Sequence, residues 1–234
     1  AAAVEGANFV VLAPPAQHMR AVTAQLRAVL RPGTPVVSCS KGIERGSCAL
    51  MPEVLAETLP ESKRAVLSGP SFAREIARDL PCGVTLACAD AALGEYLARA
   101  IGSARFRTYV SDDVIGAAIG GVMKNVLAIA AGIVEGKRLG ENARATIITR
   151  GLAEATRLGV AKGARTETFM GLSGVGDLVL TCNSLQSRNT SLGVALGEGR
   201  KAAEVLAARR EGTEGALSVE AVAALAKRLG VEMP

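Results

Sequence analysis

The sequence has no tryptophan, few other aromatic residues and a single histidine. Aromatic residues make up 3 % of the 234 residues, so a surface that binds nucleic acid by stacking bases on aromatic rings is not expected. Because His18 is the only histidine, a metal site made of several imidazoles is excluded. Alanine, valine, leucine and glycine must build the core, which favours close packing of helices on helices and on a sheet.

The chain also lacks a strong charge imbalance and any CxxC pair. Its formal net charge is +5 and the basic residues are scattered, so a small anionic substrate explains the excess as well as a larger partner does. Residues 1–6 carry no basic segment typical of a signal peptide. An odd number of cysteines without a redox or metal-binding spacing predicts reduced thiols in a cytoplasmic protein; they are Cys39, Cys48, Cys82, Cys88 and Cys182.

One stretch is apolar enough to raise the question of a membrane span. Residues 114–123 and 126–134 are apolar or glycine, and Lys124 and Asn125 lie between them. A lysine at the centre of a span makes insertion costly. The pattern therefore predicts a buried helix of a soluble protein, with no membrane span.

Short apolar runs alternate with helical periodicity up to about residue 109, which predicts a mostly parallel α/β sheet. The predicted strands are 8–13, 35–38, 65–68, 83–87 and 105–109, and the helices between them are 16–30, 49–59 and 91–101. Helical patterns alone follow, at 112–137, 141–158, 189–196 and 219–229, the first with Ser111 or Asp112 as its N-cap. We therefore predict an α/β domain over 1–110 and an all-α domain over 111–234.

Lys124 lies in the middle of a strongly apolar predicted helix. A lysine there must find a partner, reach solvent with its head group or lose its charge. Burial lowers the pKa of a lysine, and a lysine with a lowered pKa can exchange protons near neutral pH. The residues alone leave two alternatives open: a proton-transfer residue, or a lysine on the solvated face of an amphipathic helix.

Four further segments carry weaker signals. The segment GLSGVGDL at 171–178 has no strand before it and so is no dinucleotide fingerprint; it is either a close backbone approach or a loop with Asp177 as a helix cap. Ser187, Arg188 and Asn189 open a predicted helix and form either an anion site or a polar cap. The segments SKG at 40–42 and SGPSFA at 68–73 follow predicted strands, at the edge where open α/β sheets bind ligands.

Taken in order, six motifs resemble those of the bacterial NAD(P)-dependent glycerol-3-phosphate dehydrogenases: SKGIE at 40–44, SGPSFA at 68–73, GVMKN at 121–125, GLSGVGDL at 171–178, SRN at 187–189 and EG at 214–215. The resemblance covers nearly the whole chain. It implies a partial doubly wound, Rossmann-type sheet over 1–110, as the C-terminal part of a dinucleotide-binding domain. An all-α substrate-binding and catalytic domain follows over 111–234, and the family resemblance also implies a homodimer.

The resemblance further implies a reaction and its residues. The reaction interconverts dihydroxyacetone phosphate and sn-glycerol 3-phosphate, feeds phospholipid synthesis and uses NAD or NADP, with Lys124 as general acid and base and no metal. The implied substrate-binding residues are Lys41, Gly69, Ser71, Lys124, Asn125, Asp177, Thr181, Ser187, Arg188 and Asn189. The implied cofactor-binding residues are Lys41, Ala73, Arg188 and Glu214. Cationic donors and a helix N-terminus suit a phosphate dianion.

The sequence departs from the family pattern in two ways. The family's Gly-rich first βαβ unit and its extreme C-terminus are not among the 234 residues, so we expect the pyrophosphate-binding turn to lie outside this sequence. Gly212 stands where the family usually has an apolar residue. Two alternative functions stay open: another β-hydroxyacid-type dehydrogenase with the same architecture, or a non-catalytic fragment that acts as an interaction module.

Overall fold

The computed structural model describes residues 4–208 and 213–234. The strands are β1 (Val10–Leu12), β2 (Val36–Ser38), β3 (Arg64–Ser68), β4 (Cys82–Cys88) and β5 (Phe106–Ser111). The helices are α1 (Met19–Arg27), α2 (Met51–Thr58), α3 (Ala73–Ile76), α4 (Ala91–Ile101), α5 (Val114–Gly136), α6 (Glu141–Ala161), α7 (Thr166–Phe169), α8 (Asp177–Cys182), α9 (Arg188–Gly197), α10 (Ala202–Ala207) and α11 (Glu214–Leu229). A 3₁₀ turn, Ala16–His18, precedes α1, and a π-helical turn, Leu172–Gly176, precedes α8.

The strands form one sheet in the order β1-β2-β3-β4-β5. All neighbouring strands are parallel except β3 and β4, which are antiparallel. Consecutive residues of a strand face opposite sides: Val36 packs in a cluster with α1 and α2, and Val37 packs with α4 on the other face. The prediction of a mostly parallel, Rossmann-type sheet followed by helices is confirmed. Because β1, β2 and β3 are parallel, their carboxyl ends lie at one edge of the sheet, which is where folds of this kind bind ligands.

The second half of the chain is built around α5, which packs against α6, α8, α9 and α11. A Cβ at Gly132 of α5 or at Gly193 of α9 would overlap the backbone of the other helix, so these two helices pack in direct backbone contact. By length and composition α5 could cross a membrane, but most of it is buried inside the protein. We therefore identify it as a core helix, and it is not a convincing membrane span.

A hairpin from the α/β part reaches into the helical part. It covers residues 43–50, where Ile43 and Leu50 form an antiparallel bridge. Both side chains are buried in the hydrophobic core that α5 organises. Arg228, at the end of α11, donates a 2.6 Å hydrogen bond to the carbonyl of Ser47. The segment after β2 is therefore anchored to the helices.

Some predicted boundaries are wrong. The N-cap of α5 is Asp113, whose carboxylate accepts from the N–H of Gly116 at 2.8 Å, and not Ser111 or Asp112. Helix α11 begins at Glu214, earlier than predicted. The sequence predicts no helix at α3, α7, α8 or α10, because segments of four to six residues are too short to show helical periodicity. The division of the chain near residue 110 stays a prediction.

Candidate active site

Two turns at the carboxyl edge of the sheet approach α5. Lys41 lies beyond the end of β2, and Gly69 follows β3 directly. Gly69 has φ +138°, and a Cβ there would lie 3.0 Å from the Cα of Val84, so the turn requires glycine at this position. On α5, a Cβ at Gly121 would lie 3.2 Å from atoms of both Lys41 and Ser68. Small residues on both sides therefore allow these turns to approach the helix.

Lys41 is held by three acceptors. Its Nζ donates to the carbonyl of Gly69 at 2.7 Å, to Oδ2 of Asp177 at 2.6 Å and to the hydroxyl of Ser71 at 3.3 Å. The Ser71 hydroxyl in turn donates to the Gly69 carbonyl at 2.8 Å. An ammonium group carries three N–H donors, so each donor of Lys41 has a protein acceptor. Lys41 thus joins the turn after β3 to the first residue of α8.

Lys124 extends from α5 toward α8, with 12 % of its side chain exposed. Its Nζ lies 3.3 Å from Oδ1 of Asp177 and donates to Oγ1 of Thr181 at 3.2 Å. Burial lowers the pKa of Lys124 to about 8; the charge of Asp177 opposes this shift and that of Lys41 adds to it. The alternative of a lysine on a solvated helix face is therefore wrong.

Asp177 is the first residue of α8, and 2 % of its side chain is exposed. It does not cap the helix, so the cap alternative is wrong. The preceding π-helical turn, Leu172–Gly176, lies directly on α5, since a Cβ at Gly120 would overlap the carbonyl of Ser173. This close packing brings Asp177 next to Lys124. A buried carboxylate is costly without partners, and this one is paired with two lysines.

Buried amides connect the lysine cluster to α9 and α11. Asn125 donates from Nδ2 to the carbonyl of Lys41 at 2.7 Å, and its Oδ1 accepts from Nδ2 of Asn189 at 2.8 Å. The Oδ1 of Asn189 accepts from the backbone N–H of Gly215 at 3.0 Å. A Cβ at Gly215 would lie 2.7 Å from that same oxygen. Because both amide oxygens and one donor of each side chain are used, the network resists rearrangement.

Glu214 begins α11 and points back to the sheet. Its Oε1 accepts from the backbone N–H of Ala16 at 3.0 Å, just beyond β1. Its Oε2 is buried and has no hydrogen-bond partner among the residues that the structure describes. A Cβ at Gly42 would lie 2.6 Å from Oε2, and burial raises the pKa of Glu214. A buried acceptor of this kind points to a donor supplied by a bound molecule.

The remaining predicted residues lie around this cluster. Ser187 caps α9, since its hydroxyl accepts from the N–H of Thr190 at 3.2 Å; its part in an anion site stays a prediction. Arg188 is the first residue of α9 and is exposed. Ala73 is the first residue of α3 and is also exposed. Gly212 lies outside the described residues.

Two lysines around one aspartate leave an excess of one positive charge, which favours an anionic ligand. Lys124, with a pKa of about 8, can donate or accept a proton near neutral pH. Burial raises the pKa of the nearby Cys182 thiol to about 12, so it is no nucleophile. In residues 4–208 and 213–234, no group of three or more His, Cys, Asp or Glu is placed to hold a metal ion. The arrangement suits protonation of an oxygen on an anionic substrate.

Sequence reasoning missed three residues that shape the site. Thr190 donates to the carbonyl of Thr181 at 2.6 Å, and Gly42 and Ala16 both border Glu214. Thr190 directly follows the SRN motif and Gly42 belongs to the SKG motif, so their positions in or next to these motifs could have identified them as site residues. Their roles nevertheless depend on contacts between segments far apart in the chain.

Two protein-family models match the chain. The model described as "NAD-dependent glycerol-3-phosphate dehydrogenase N-terminus" matches residues 1–94, and the corresponding C-terminus model matches residues 113–234. A glycerol-3-phosphate dehydrogenase (NAD(P)+) of Parvibaculum lavamentivorans is 58 % identical over 228 residues, which cover 97 % of this chain and 68 % of that protein. The corresponding protein of Rhodospirillum rubrum is 56 % identical over 234 residues, covering 100 % of this chain and 67 % of that protein.

Solved structures agree with these matches. Glycerol-3-phosphate dehydrogenase from Coxiella burnetii superposes with a TM-score of 0.95 at 41 % identity, covering 100 % of this chain and 71 % of that one. A D-mandelate dehydrogenase in complex with NADH superposes with a TM-score of 0.61 at 12 % identity, covering 96 % of this chain and 74 % of that one, which shows a shared fold alone. These findings do not favour either alternative, another β-hydroxyacid-type dehydrogenase or a non-catalytic module.

Proposed function

The chain belongs to the NAD-dependent glycerol-3-phosphate dehydrogenase family, an oxidoreductase family that uses NAD or NADP, and from this we propose that Lys124 is the general acid and base of the reaction. In the reductive direction, the carbonyl oxygen of dihydroxyacetone phosphate gains a proton and sn-glycerol 3-phosphate forms. The observation that carries the proposal is the buried ammonium of Lys124 beside Asp177, with its pKa lowered to about 8.

Lys124 has a donor for the substrate. Two of its contacts are Oδ1 of Asp177 and Oγ1 of Thr181, and an ammonium carries three N–H groups. The third N–H donates to the substrate carbonyl oxygen. As negative charge develops on that oxygen, the ammonium stabilises it and then transfers the proton. In the oxidative direction, the neutral amine of Lys124 accepts the proton of the alcohol.

We place the substrate phosphate at the N-terminus of α9, which is ten residues long. The first backbone N–H groups of a helix and its positive end favour a phosphate. Arg188, the first residue of α9, adds a guanidinium that can bind two phosphate oxygens. Ser187 and Asn189, on either side of it, complete the proposed phosphate pocket.

The carbonyl end of the substrate then lies at the lysine cluster. Ser71 makes the longest of the three Lys41 contacts, at 3.3 Å, so it is the acceptor that a substrate oxygen replaces. Gly69 borders this space through its carbonyl, which accepts from Lys41 at 2.7 Å. Asn125 and Thr181 border the same space from α5 and α8.

The surroundings of Glu214 fit a dinucleotide. The buried Oε2 needs a donor, and a cofactor amide or hydroxyl provides one. A Cβ at Gly42 would lie 2.6 Å from this oxygen, so glycine at this position leaves room beside it. Lys41, Ala73 and Arg188 are the other proposed cofactor contacts. When bound, the nicotinamide supplies the hydride.

We further propose a division near residue 110 into a dinucleotide-binding and a substrate-binding domain, a cytoplasmic location and a homodimer. The five cysteines are all free thiols, as is usual in a reducing compartment. The dimer rests on the family resemblance alone, and light scattering after size exclusion measures it.

The test of the acid–base role is the rate of NADH oxidation on addition of dihydroxyacetone phosphate to the full-length protein. We expect Lys124→Met to lower kcat by roughly 10²- to 10⁴-fold, as is typical for loss of a general acid. Lys162→Met is the matched control, because Lys162 is also partly buried and pairs with Glu53 at 2.6 Å, away from the site. Full turnover in Lys124→Met, or an equal loss in the control, contradicts the proposal.

A further inference from the structure

Thr190 is a buried residue with no assigned part in the reaction. It lies in the first turn of α9 and is 3 % exposed. Its hydroxyl donates to the carbonyl of Thr181 at 2.6 Å, and its backbone N–H donates to the hydroxyl of Ser187 at 3.2 Å. Its own carbonyl lies against α5, where a Cβ at Gly132 would overlap it. Thr190 thus contacts α5, which carries Lys124, and α8, which carries Thr181 and Asp177.

The carbonyl of Thr181 needs such a partner. Helix α8 ends at Cys182, so this carbonyl has no residue four positions later in the helix from which to accept. The hydroxyl of Thr181 accepts from Lys124 at 3.2 Å and donates to the carbonyl of Asp177 at 2.6 Å. Thr181 therefore contacts the ammonium of Lys124 with its side chain and contacts Thr190 with its backbone carbonyl.

The contacts form a closed ring. Lys124 contacts Thr181, and the Thr181 carbonyl accepts from Thr190. Asn189, the neighbour of Thr190, donates to Asn125 at 2.8 Å. Asn125 is in turn the neighbour of Lys124 on α5. We propose that Thr190 is a positioning residue, which closes this ring and so fixes the hydroxyl of Thr181 against the Nζ of Lys124.

This inference depends on the proposed role of Lys124. A misplacement of an acid by about 1 Å affects the chemical step strongly, whereas the substituted group of Thr190 is a hydroxyl that donates to the backbone of Thr181, and its backbone N–H, held by Ser187, is kept. Loss of its hydroxyl leaves the Thr181 carbonyl buried without a donor. We therefore expect kcat to change and the KM for dihydroxyacetone phosphate to stay nearly constant.

The experiment compares Thr190→Val, which keeps the shape and loses the donor, with Thr190→Ser, which keeps the donor. We expect Thr190→Val to lower kcat by roughly tenfold with KM changed less than threefold, and Thr190→Ser to stay within threefold of the parent. Losing the ordered acceptor at Thr181 disfavours the charged form of Lys124. The pH above which the reductive kcat falls should therefore move to a lower value in Thr190→Val.

Thr58→Val is the matched control. Thr58 is also buried and donates to a backbone carbonyl, that of Val54 at 2.8 Å, but it belongs to α2. We expect this control to lower the melting temperature and to leave kcat and its pH profile unchanged. If Thr190→Val does not fold, Thr190→Cys replaces it, and the weak S–H donor should give a lower kcat than serine.

Several results overturn the inference. An unchanged kcat and pH profile in Thr190→Val, a rise in KM alone, a kcat of Thr190→Cys equal to that of serine, or the same loss in Thr58→Val each does so. The outcome is separate from that of the proposed function, which fails if Lys124→Met remains active or if Lys162→Met loses as much activity. An inactive Lys124→Met together with a fully active Thr190→Val refutes the role of Thr190 alone.

Discussion

Replacing Asp177 with asparagine tests how the site controls the proton of Lys124. The substitution keeps the shape of the side chain and removes its negative charge. Because Asp177 raises the pKa of Lys124 against the effect of burial, Asp177→Asn should lower that pKa below about 8. Without the charge of Asp177, the repulsion from the nearby Lys41, which also lowers the pKa of Lys124, is no longer offset.

The size of the effect follows from the distance. Opposite unit charges 3.3 Å apart attract each other by about 5 kcal/mol at an effective dielectric constant of about 20. A change of about 1.4 kcal/mol corresponds to one pKa unit, so even a quarter of this attraction moves the pKa of Lys124 by about one unit. Both partners are nearly buried, with 12 % and 2 % of their side chains exposed, so solvent screening is weak.

The measurement is kcat/KM for dihydroxyacetone phosphate between about pH 6 and pH 10, because this ratio reports ionisations of the protein before the substrate binds. The proposed mechanism requires the protonated form of Lys124 for reduction, so kcat/KM of the parent should fall above about pH 8. In Asp177→Asn the fall should begin at least about one pH unit lower. For the oxidative reaction, in which the proposed mechanism requires the neutral amine, the rise in kcat/KM should move in the same direction.

Asp113→Asn is the matched control, because Asp113 is another buried carboxylate but lies at the start of α5 and accepts from the Gly116 N–H. It should reduce stability and leave the pH profile in place. If Asp177→Asn has the same pH midpoint as the parent, Asp177 does not control the protonation of Lys124 and the reasoning is refuted.

Four further predictions concern stability and cofactor binding. The pKa of Lys124 is about 8 in the folded protein and 10.5 in the unfolded chain, so the charge of Lys124 destabilises the folded state below about pH 8, and this effect disappears above about pH 10.5. Lys124→Met should therefore raise the unfolding free energy measured in urea by up to about 3 kcal/mol at pH 7. An equal gain at pH 10 would contradict this prediction. Asp113→Ala loses its hydrogen bonds to two backbone N–H groups and one hydroxyl, so we expect a loss of about 1–3 kcal/mol in the same assay, and a change below about 0.5 kcal/mol argues against the cap. Gly132→Ala places a methyl group against the α9 backbone and should lower the free energy of unfolding by about 1–3 kcal/mol. An unchanged free energy of unfolding would show that α5 and α9 do not require this close contact. Glu214→Ala should weaken NADH binding by roughly tenfold in a fluorescence titration, with Glu214→Gln losing less because it keeps the acceptor for Ala16; equal affinities in all three proteins would remove Glu214 from the cofactor site.

The sequence predicted the elements well where the pattern is local and long. Nineteen of the 21 residues from 114 to 134 are apolar or glycine, so a buried helix follows from composition alone. Short apolar runs between turn residues likewise predicted the strands. The sequence predicted helix ends poorly, because one or two residues decide them. The cap of α5 is Asp113, whose carboxylate accepts from the N–H of Gly116, but the neighbouring Ser111 and Asp112 are equally typical of a cap.

The individual site residues depend on contacts that no local pattern contains. The sequence around Asp177 is typical of a helix cap beside an apolar run. In the structure, however, Asp177 pairs with Lys41, 136 positions earlier in the chain. Its other partner, Lys124, comes from a different helix. The ordered motifs identified these residues together through the family resemblance, without a physical account of what each one contacts.

By itself, the sequence determined the order of the strands and the longer helices, the buried position of α5 and the charge types available to a site. These properties arise from the side chains of adjacent residues, whose periodicity is readable along the chain. Only the tertiary structure decided that Lys124 has a pKa of about 8, that Asp177 lies between two lysines and that Thr190 lies behind Thr181. Desolvation and charge pairing depend on distances between segments remote in sequence, and those distances are set by how closely α5, α8 and α9 pack.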